Sequence, residues 1–364
     1  MRFETSADAD RPGLDDGRLL KASCPLPILD HKEIVLGHGS GGKLTQSLVE
    51  KFFLPAFQNE LLSPLHDGAV LPVGGAKLAF TTDSYVVHPI FFPGGDIGEL
   101  AVNGTVNDLA MCGARPLYLA ASFILEEGFA LEDLWRIVCS MKEAASRAGV
   151  LLVTGDTKVV DRGKADKIFV NTSGVGWVQD GVEISPDRAR PGDMVIVSGP
   201  IAVHGIAIMS VREGLEFETM IASDSAPLGD LVSRMFEACR DIHVLRDPTR
   251  GGVASALNEI AVKARVGISI SEDHIPIGEE VKGACAILGL DPLYVANEGK
   301  LLAFVPASEA HQVLTAMRSH PQGKDAAIIG EVIADHPGTV VMKTRVGGHR
   351  IVDMLSGEQL PRIC

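Results

Sequence analysis

The sequence predicts two domains of mixed α and β structure followed by a tail, and three observations predict it. The 364 residues exceed what one hydrophobic core usually serves. Short apolar runs with strand character alternate with helical patterns through both halves. A polar, turn-rich stretch, "SPDRARPGD" at residues 185–193, divides the two. Hydrophobic residues at 46% and charged residues at 22% supply material for two sizeable cores. The expected units are an extension over residues 1–30, a domain over 31–185, a second over 186–343 and a tail over 344–364.

The extension is Asp-rich, contains Pro12, Pro25 and Pro27, and lacks the apolar core of a secretion signal, so the cytoplasm is the expected location. Next, "EIVLG" reads as a short strand and "KLTQSLVEKFFLPAF" as a helix, with Leu44, Leu48 and Phe52 four apart. The first domain continues with a strand in "KLAFTTD", a helix in "IGELAVNGTVNDLAMCG", a long strand in "PLYLAASFILEE" and a helix in "LEDLWRIVCSMKEAASRAG". Strands in "VLLVTGDTKVV" and "KIFVNTSGVGWV" complete it. The second domain shows a strand in "MVIVSG", helices around residues 201–213 and 226–240, and the stretch "TRGGVASALNEIAVKA". In "LLAFVPASEAHQVLTAM" a strand gives way to a helix near Ser308. Gly347, Gly348, Gly357 and Pro361 suggest that the tail is a mobile arm.

Net charge is −14 with no long basic run, which disfavours nucleic acid or an anionic membrane as the main partner. The uncharged stretch over residues 194–211 is broken by Gly199, Pro200, His204 and Gly205, and reads as a buried strand, a turn and a buried helix rather than a membrane span. The six cysteines form no CxxC pair, which removes support for zinc-ribbon and thioredoxin readings. Most suit a core. Cys364 ends the sequence, where a surface position is expected, and Pro361 stands where a prenylation signal would need its cysteine.

"GHGSGGKL", residues 37–44, satisfies G-x-x-x-x-G-K but puts Leu44 where an NTPase phosphate loop needs a magnesium-holding hydroxyl. Its glycines suit backbone contacts to phosphate, and equally a flexible turn. If nucleotide binds, magnesium must be held elsewhere. Aspartates at turns offer that place: Asp67, Asp83, Asp108, Asp156 and Asp247. Each alone also suits a helix cap or turn. His38 can touch phosphate or pack, and His88 lacks a second histidine at ligand spacing and reads as structural.

The motifs "HGSGGK", "TTDSYVVHPIFFPGGDIGELAVNGTVNDLAMCGA", "GDTKVV", "DPTRGG", "NEG" and the ending "PRIC" together resemble the HypE family of hydrogenase-maturation proteins, in the superfamily of aminoimidazole ribonucleotide (AIR) synthetase and selenophosphate synthetase. The resemblance runs from about residue 33 to Cys364, and "PRIC" separates this family from the rest of the superfamily. It implies two α+β or α/β domains of AIR synthase-like (PurM-like) fold, with the N-terminal ones pairing in a homodimer through a barrel-like interface.

The implied activity is ATP-dependent dehydration of an S-carboxamide on Cys364 to a thiocyanate. The carbamoyltransferase HypF would load the thiol, and the cyanide would pass to the iron of a nickel-iron hydrogenase on a HypC–HypD scaffold. By motif, Asp83 and Asp108, then Asp67 and Asp247, match magnesium positions. Gly39, Ser40, Gly41, Gly42 and Lys43 match the loop covering the triphosphate, and Asp83, Asn103 and Asp108 match nucleotide-site positions. Glu298 and Lys158 match a catalytic pair around Cys364, with Glu298 the expected proton acceptor and Lys158 the charge stabiliser, roles open to exchange. Two other readings fit the motifs: a superfamily ATPase phosphorylating a small molecule in trans, and an ATP-gated adaptor whose tail is a recognition peptide.

Overall fold

The computed structural model describes residues 31–57, 59–215, 220–357, 360 and 362–364; the expected extension over 1–30, with Cys24, lies outside the described residues. The first element corrects an expectation, because "EIVLG" forms no strand. Leu36–Gly39 is a short 3-10 turn, closed by Ser40 Oγ donating to the Gly37 carbonyl at 2.8 Å, so the chain curls rather than extends. The expected helix forms as α1 (Lys43–Leu48), a π-helical turn (Val49–Phe53) and α2 (Leu54–Phe57).

The first half then runs β1 (Ala69–Val73), β2 (Ala76–Tyr85), the small hairpin β3 (Phe91–Phe92) and β4 (Gly95–Asp96), α3 (Ile97–Met111), β5 (Ala114–Glu126), α4 (Leu131–Ala148), β6 (Leu151–Val160) and β7 (Ile168–Val178). Its sheet has the order β1-β2-β7-β5-β6, antiparallel throughout except for the parallel pair β5–β6. Alternate residues of β7 are buried, as expected for a sheet covered on one face. That cover is α3. Asp96 starts it by accepting the Gly98 and Glu99 amides at 2.7 and 3.1 Å. Nearly every α3 residue is buried, because the helix lies between the sheet, α4 and the second half. Gly98 permits the approach of α4, since a Cβ there would meet the Ile137 carbonyl oxygen at 2.6 Å. Edge strand β6 is exposed along nearly its whole length.

The second half runs β8 (Asp193–Val197), α5 (Val203–Arg212), α6 (Gly229–Ala238), β9 (Val244–Arg246), α7 (Gly252–Ala264), β10 (Gly267–Ser271), α8 (Glu279–Leu288), β11 (Leu302–Pro306), α9 (Ala307–Arg318), β12 (Ala327–Ile333), β13 (Val340–Lys343) and β14 (His349–Val352). The sheet order is β14-β13-β10-β12-β8-β11-β9, with only β10–β13 parallel. Both faces are covered, which explains the unbroken apolar runs of β8 and β11. Val195, Val197, Leu302 and Phe304 face Ile206, Leu257 and Ile260. Ile196, Ala303 and Val305 face Leu231, Met235 and Val313 on the other side. The uncharged run at 194–211 is thus β8, a turn and α5, and among the described residues no helix is long and apolar enough to cross a membrane.

The tail departs from the expected arm. Residues 349–352 are β14, hydrogen-bonded to β13, so the region beyond 344 begins inside the sheet. Val86 N–H donates to the Cys364 carbonyl and His88 N–H to the Arg362 carbonyl, both at 3.1 Å, and Ile363 is buried in the first-half core. Arg362 pairs with Asp166.

Candidate active site

Between the halves lies a cavity of about 620 Å³, lined by the glycine turn, the end of β2, the segment after β9, Glu298 and Cys364. Gly41 has φ +75°, and a Cβ there would meet Arg250 Cβ at 2.5 Å. The turn is therefore pressed against "DPTRGG". Its other side is held by the chain leading to the tail, through Lys43 N–H to the Leu355 carbonyl (2.9 Å) and Ser40 Oγ, whose one hydrogen is shared between the Gly37 carbonyl and the Gly357 carbonyl at 3.0 Å. Gly39, Ser40, Gly41 and Gly42 line the cavity. Lys43 does not: its exposed ammonium pairs with Asp353 at 2.6 Å. The cavity's cation beside the turn is Arg250 instead, a residue of "DPTRGG" to which the sequence alone assigns no role.

Asp67, Asp108 and Asp247 each present an oxygen within 4.8 Å of the others. They arrive from a loop before β1, from α3 and from the segment after β9. Asp83 lines the same cavity and accepts from Tyr85 Oη at 3.1 Å. Burial, then the charges of Asp83, Asp247 and Asp67, push the Asp108 carboxyl well above the usual range. Asp247 is raised likewise, by burial and then by Asp67. Arg246 offsets part of this charge by pairing with Asp67 and, at 2.6 Å, with Glu259. Asp67 Oδ2 is buried and lacks a hydrogen-bond partner. A hard divalent cation such as magnesium fits this set, because it would complete the orphaned oxygen and relieve the repulsion. Asn103 is buried in α3 outside the cavity lining, donating to Ser225 Oγ at 3.0 Å.

Glu298 is 3% exposed, and its Oε1 has no hydrogen-bond partner. Burial, then Asp247 and Asp224, raise its pKa well above the usual range. Cys364 lines the same cavity. Burial, then Glu298, push its thiol up to about 12, with Arg250 opposing. Glu298 and Cys364 therefore line one cavity. Lys158 is not with them. It stands on β6 with its side chain 69% exposed, pairs with Asp156 at 2.8 Å, and is absent from the cavity lining. The expected pairing of Glu298 with Lys158 does not exist within one chain.

Two stretches match models of AIR synthase related proteins, residues 65–178 the N-terminal domain and 190–343 the C-terminal domain. The carbamoyl dehydratase HypE of Azotobacter vinelandii is 55% identical over 92% of this chain and 98% of its own length. The chain belongs to the HypE family. A solved HypE–HypF complex contains a chain 51% identical, with TM-score 0.81, covering 85% of this chain and 100% of that one. A HypE structure in complex with ATP is 50% identical, with TM-score 0.77, covering 91% and 100%. The glycine turn and Cys364, which both line the cavity, lie outside both stretches matched to the AIR synthase models.

Proposed function

We propose that this chain is an ATP-dependent carbamoyl dehydratase of hydrogenase maturation that converts an S-carboxamide on its own Cys364 to a thiocyanate. One observation carries the reading: Cys364 shares a cavity with Glu298, Arg250 and the three converging aspartates. The overall change removes one oxygen and two hydrogens from –S–C(=O)–NH2. Oxide or hydroxide is too poor a leaving group at neutral pH, and a bound magnesium–ATP supplies the remedy by letting that oxygen depart as phosphate. Asp67, Asp108 and Asp247 would hold the metal, with Asp83 adjoining, and the glycine turn would cover the triphosphate.

The chain's own groups do the rest. Arg250 stabilises negative charge beside the reacting carbon. Glu298 takes protons from nitrogen, for which its buried Oε1 has no other hydrogen-bond partner. The raised thiol pKa keeps unloaded Cys364 neutral in this pose and a weak nucleophile. Loading is therefore assigned to an undocked tail and dehydration to the docked one. HypF is the proposed source of the carboxamide and a HypC–HypD scaffold the recipient, in the cytoplasm.

A homodimer is part of the proposal. Phe80, Tyr118 and Trp177 are exposed on the uncovered face of the first sheet, beside the bare edge of β6 with Leu151, Val153 and Val159. A second copy covering this face would also give Lys158 a route to a cavity. The chemistry is tested by placing heavy oxygen in the carboxamide of the loaded protein and adding magnesium–ATP. The label is expected in inorganic phosphate; label recovered in water instead contradicts the route.

A further inference from the structure

His204 lies inside α5 and is completely buried, in the middle of the uncharged run where the sequence suggests only a break in a membrane-like stretch. Its Nε2 is 2.8 Å from the Ile363 carbonyl oxygen, and its Nδ1 is 2.8 Å from Ser223 Oγ. A carbonyl can only accept, so Nε2 carries the hydrogen and Nδ1 accepts from the serine hydroxyl. Burial lowers the imidazole's pKa, consistent with this neutral form.

Ser223 begins a loop that ties His204, the first half and Glu298 together. Its backbone N–H donates to the Pro93 carbonyl at 2.7 Å, anchoring the loop to the first half. Asp224 Oδ1 accepts the Glu298 N–H at 3.2 Å, and its carboxylate pairs with Lys300 at 3.1 Å. Ser225 Oγ accepts from Asn103 at 3.0 Å. The loop therefore joins the residue gripping the tail to the backbone of the expected base.

We propose that His204 is a positioning residue for the dehydration: by gripping the Ile363 carbonyl from a loop that also holds Glu298, it sets the neighbouring sulfur in register with the base only when the tail is docked. The proposal rests on the dehydratase reading given above. It makes His204 unnecessary for loading, which takes place with the tail released. Arg212, which donates to the Arg362 carbonyl and to His88 O, holds the preceding residue from the same helix.

The test uses the full-length protein with the carbamoyltransferase, in wild-type, His204→Ala, His204→Gln and Ser223→Ala forms. Intact mass follows loading and single-turnover loss of water, and peptide mass spectrometry follows iodoacetamide alkylation of Cys364 in unloaded protein. His204→Ala is expected to load at least as fast as wild type, alkylate at Cys364 roughly tenfold faster and dehydrate roughly tenfold more slowly, the scale of one buried hydrogen bond. Gln, which keeps an N–H donor, should restore part of both effects. Ser223→Ala keeps the imidazole, should move both rates in the same direction by less, and decides the matter if His204→Ala does not fold. Wild-type alkylation and dehydration rates in folded variants would overturn the proposal. A wild-type protein that loads but never loses water would refute the dehydratase reading instead, while the alkylation rates still report on the grip of His204.

Discussion

Thr81 Oγ1 lies 2.8 Å from Asp108 Oδ2 and, at the same distance, from the Asp67 carbonyl oxygen. A hydroxyl has one hydrogen to give. That hydrogen is shared between the two acceptors, so Thr81 favours the ionised Asp108 while burial and the neighbouring aspartates hold the carboxyl raised. One strand residue thus ties together two of the three proposed cation ligands.

Cation binding should therefore expel a proton. Calorimetric magnesium titrations in two buffers of different ionisation enthalpy are expected to show net proton release and an affinity that climbs with pH. Thr81→Val should weaken magnesium binding by roughly 10–100-fold, as loss of a group orienting a ligand does. Equal heats in both buffers would contradict the assignment.

The same carboxyls give cation-free stability a definite slope. Asp108, Asp247 and Glu298 all have pKa values raised in the folded chain. Their contribution is fully present below the ordinary carboxylate values and is lost as pH rises through the raised ones. Thermal melts without divalent cation should show stability falling with pH across that window, and magnesium should flatten the fall. Stability rising over the same range would contradict it.

Glu298→Gln keeps size and removes the base. Loading of Cys364 is expected to proceed, while dehydration slows by roughly 100-fold or more, so the carboxamide form accumulates in the mass spectrum. Unchanged turnover would transfer the proton-accepting role elsewhere.

Most of the architecture was legible because periodicity reports burial. The alternation of β7 and the helical pattern of α3 follow from local sequence, whereas the burial of polar residues such as Asn103 and Asp108 in α3 does not. "EIVLG" misled because a strand also needs a neighbour, and here Ser40 folds the chain back on itself. β9, β10, β12 and β13 do not stand out in the sequence, because their identity rests on partners distant in the chain. The motifs point to the aspartates that converge, but not to Arg250 or His204. An arginine between Thr249 and Gly251, and a lone histidine in an uncharged run, were the available signals. Lys158 is the opposite case: its motif suggests a catalytic place, and within one chain the fold puts it on an exposed edge, where only a second copy would bring it to a cavity.

Gly41→Ala forces a side chain into a left-handed position already crowded by Arg250. The variant should lose roughly 1–3 kcal/mol of stability and lose nucleotide binding disproportionately. Thermal melts with and without ATP check both, and the ATP-induced shift should shrink more than the melting temperature itself.

Val153→Glu places a charge on the bare edge strand β6. Sedimentation should report a monomer, with the melting temperature nearly unchanged if the face contributes only to association. A dimer persisting in this variant would place the interface elsewhere.

The most direct test of the central claim follows the intact mass of the protein after loading with the carbamoyltransferase, carbamoyl phosphate and ATP, then after adding magnesium–ATP to the purified loaded form. A gain of one carboxamide localised to Cys364, followed by loss of one water, is the predicted result. A loaded mass that stays constant while nucleotide is bound would contradict it.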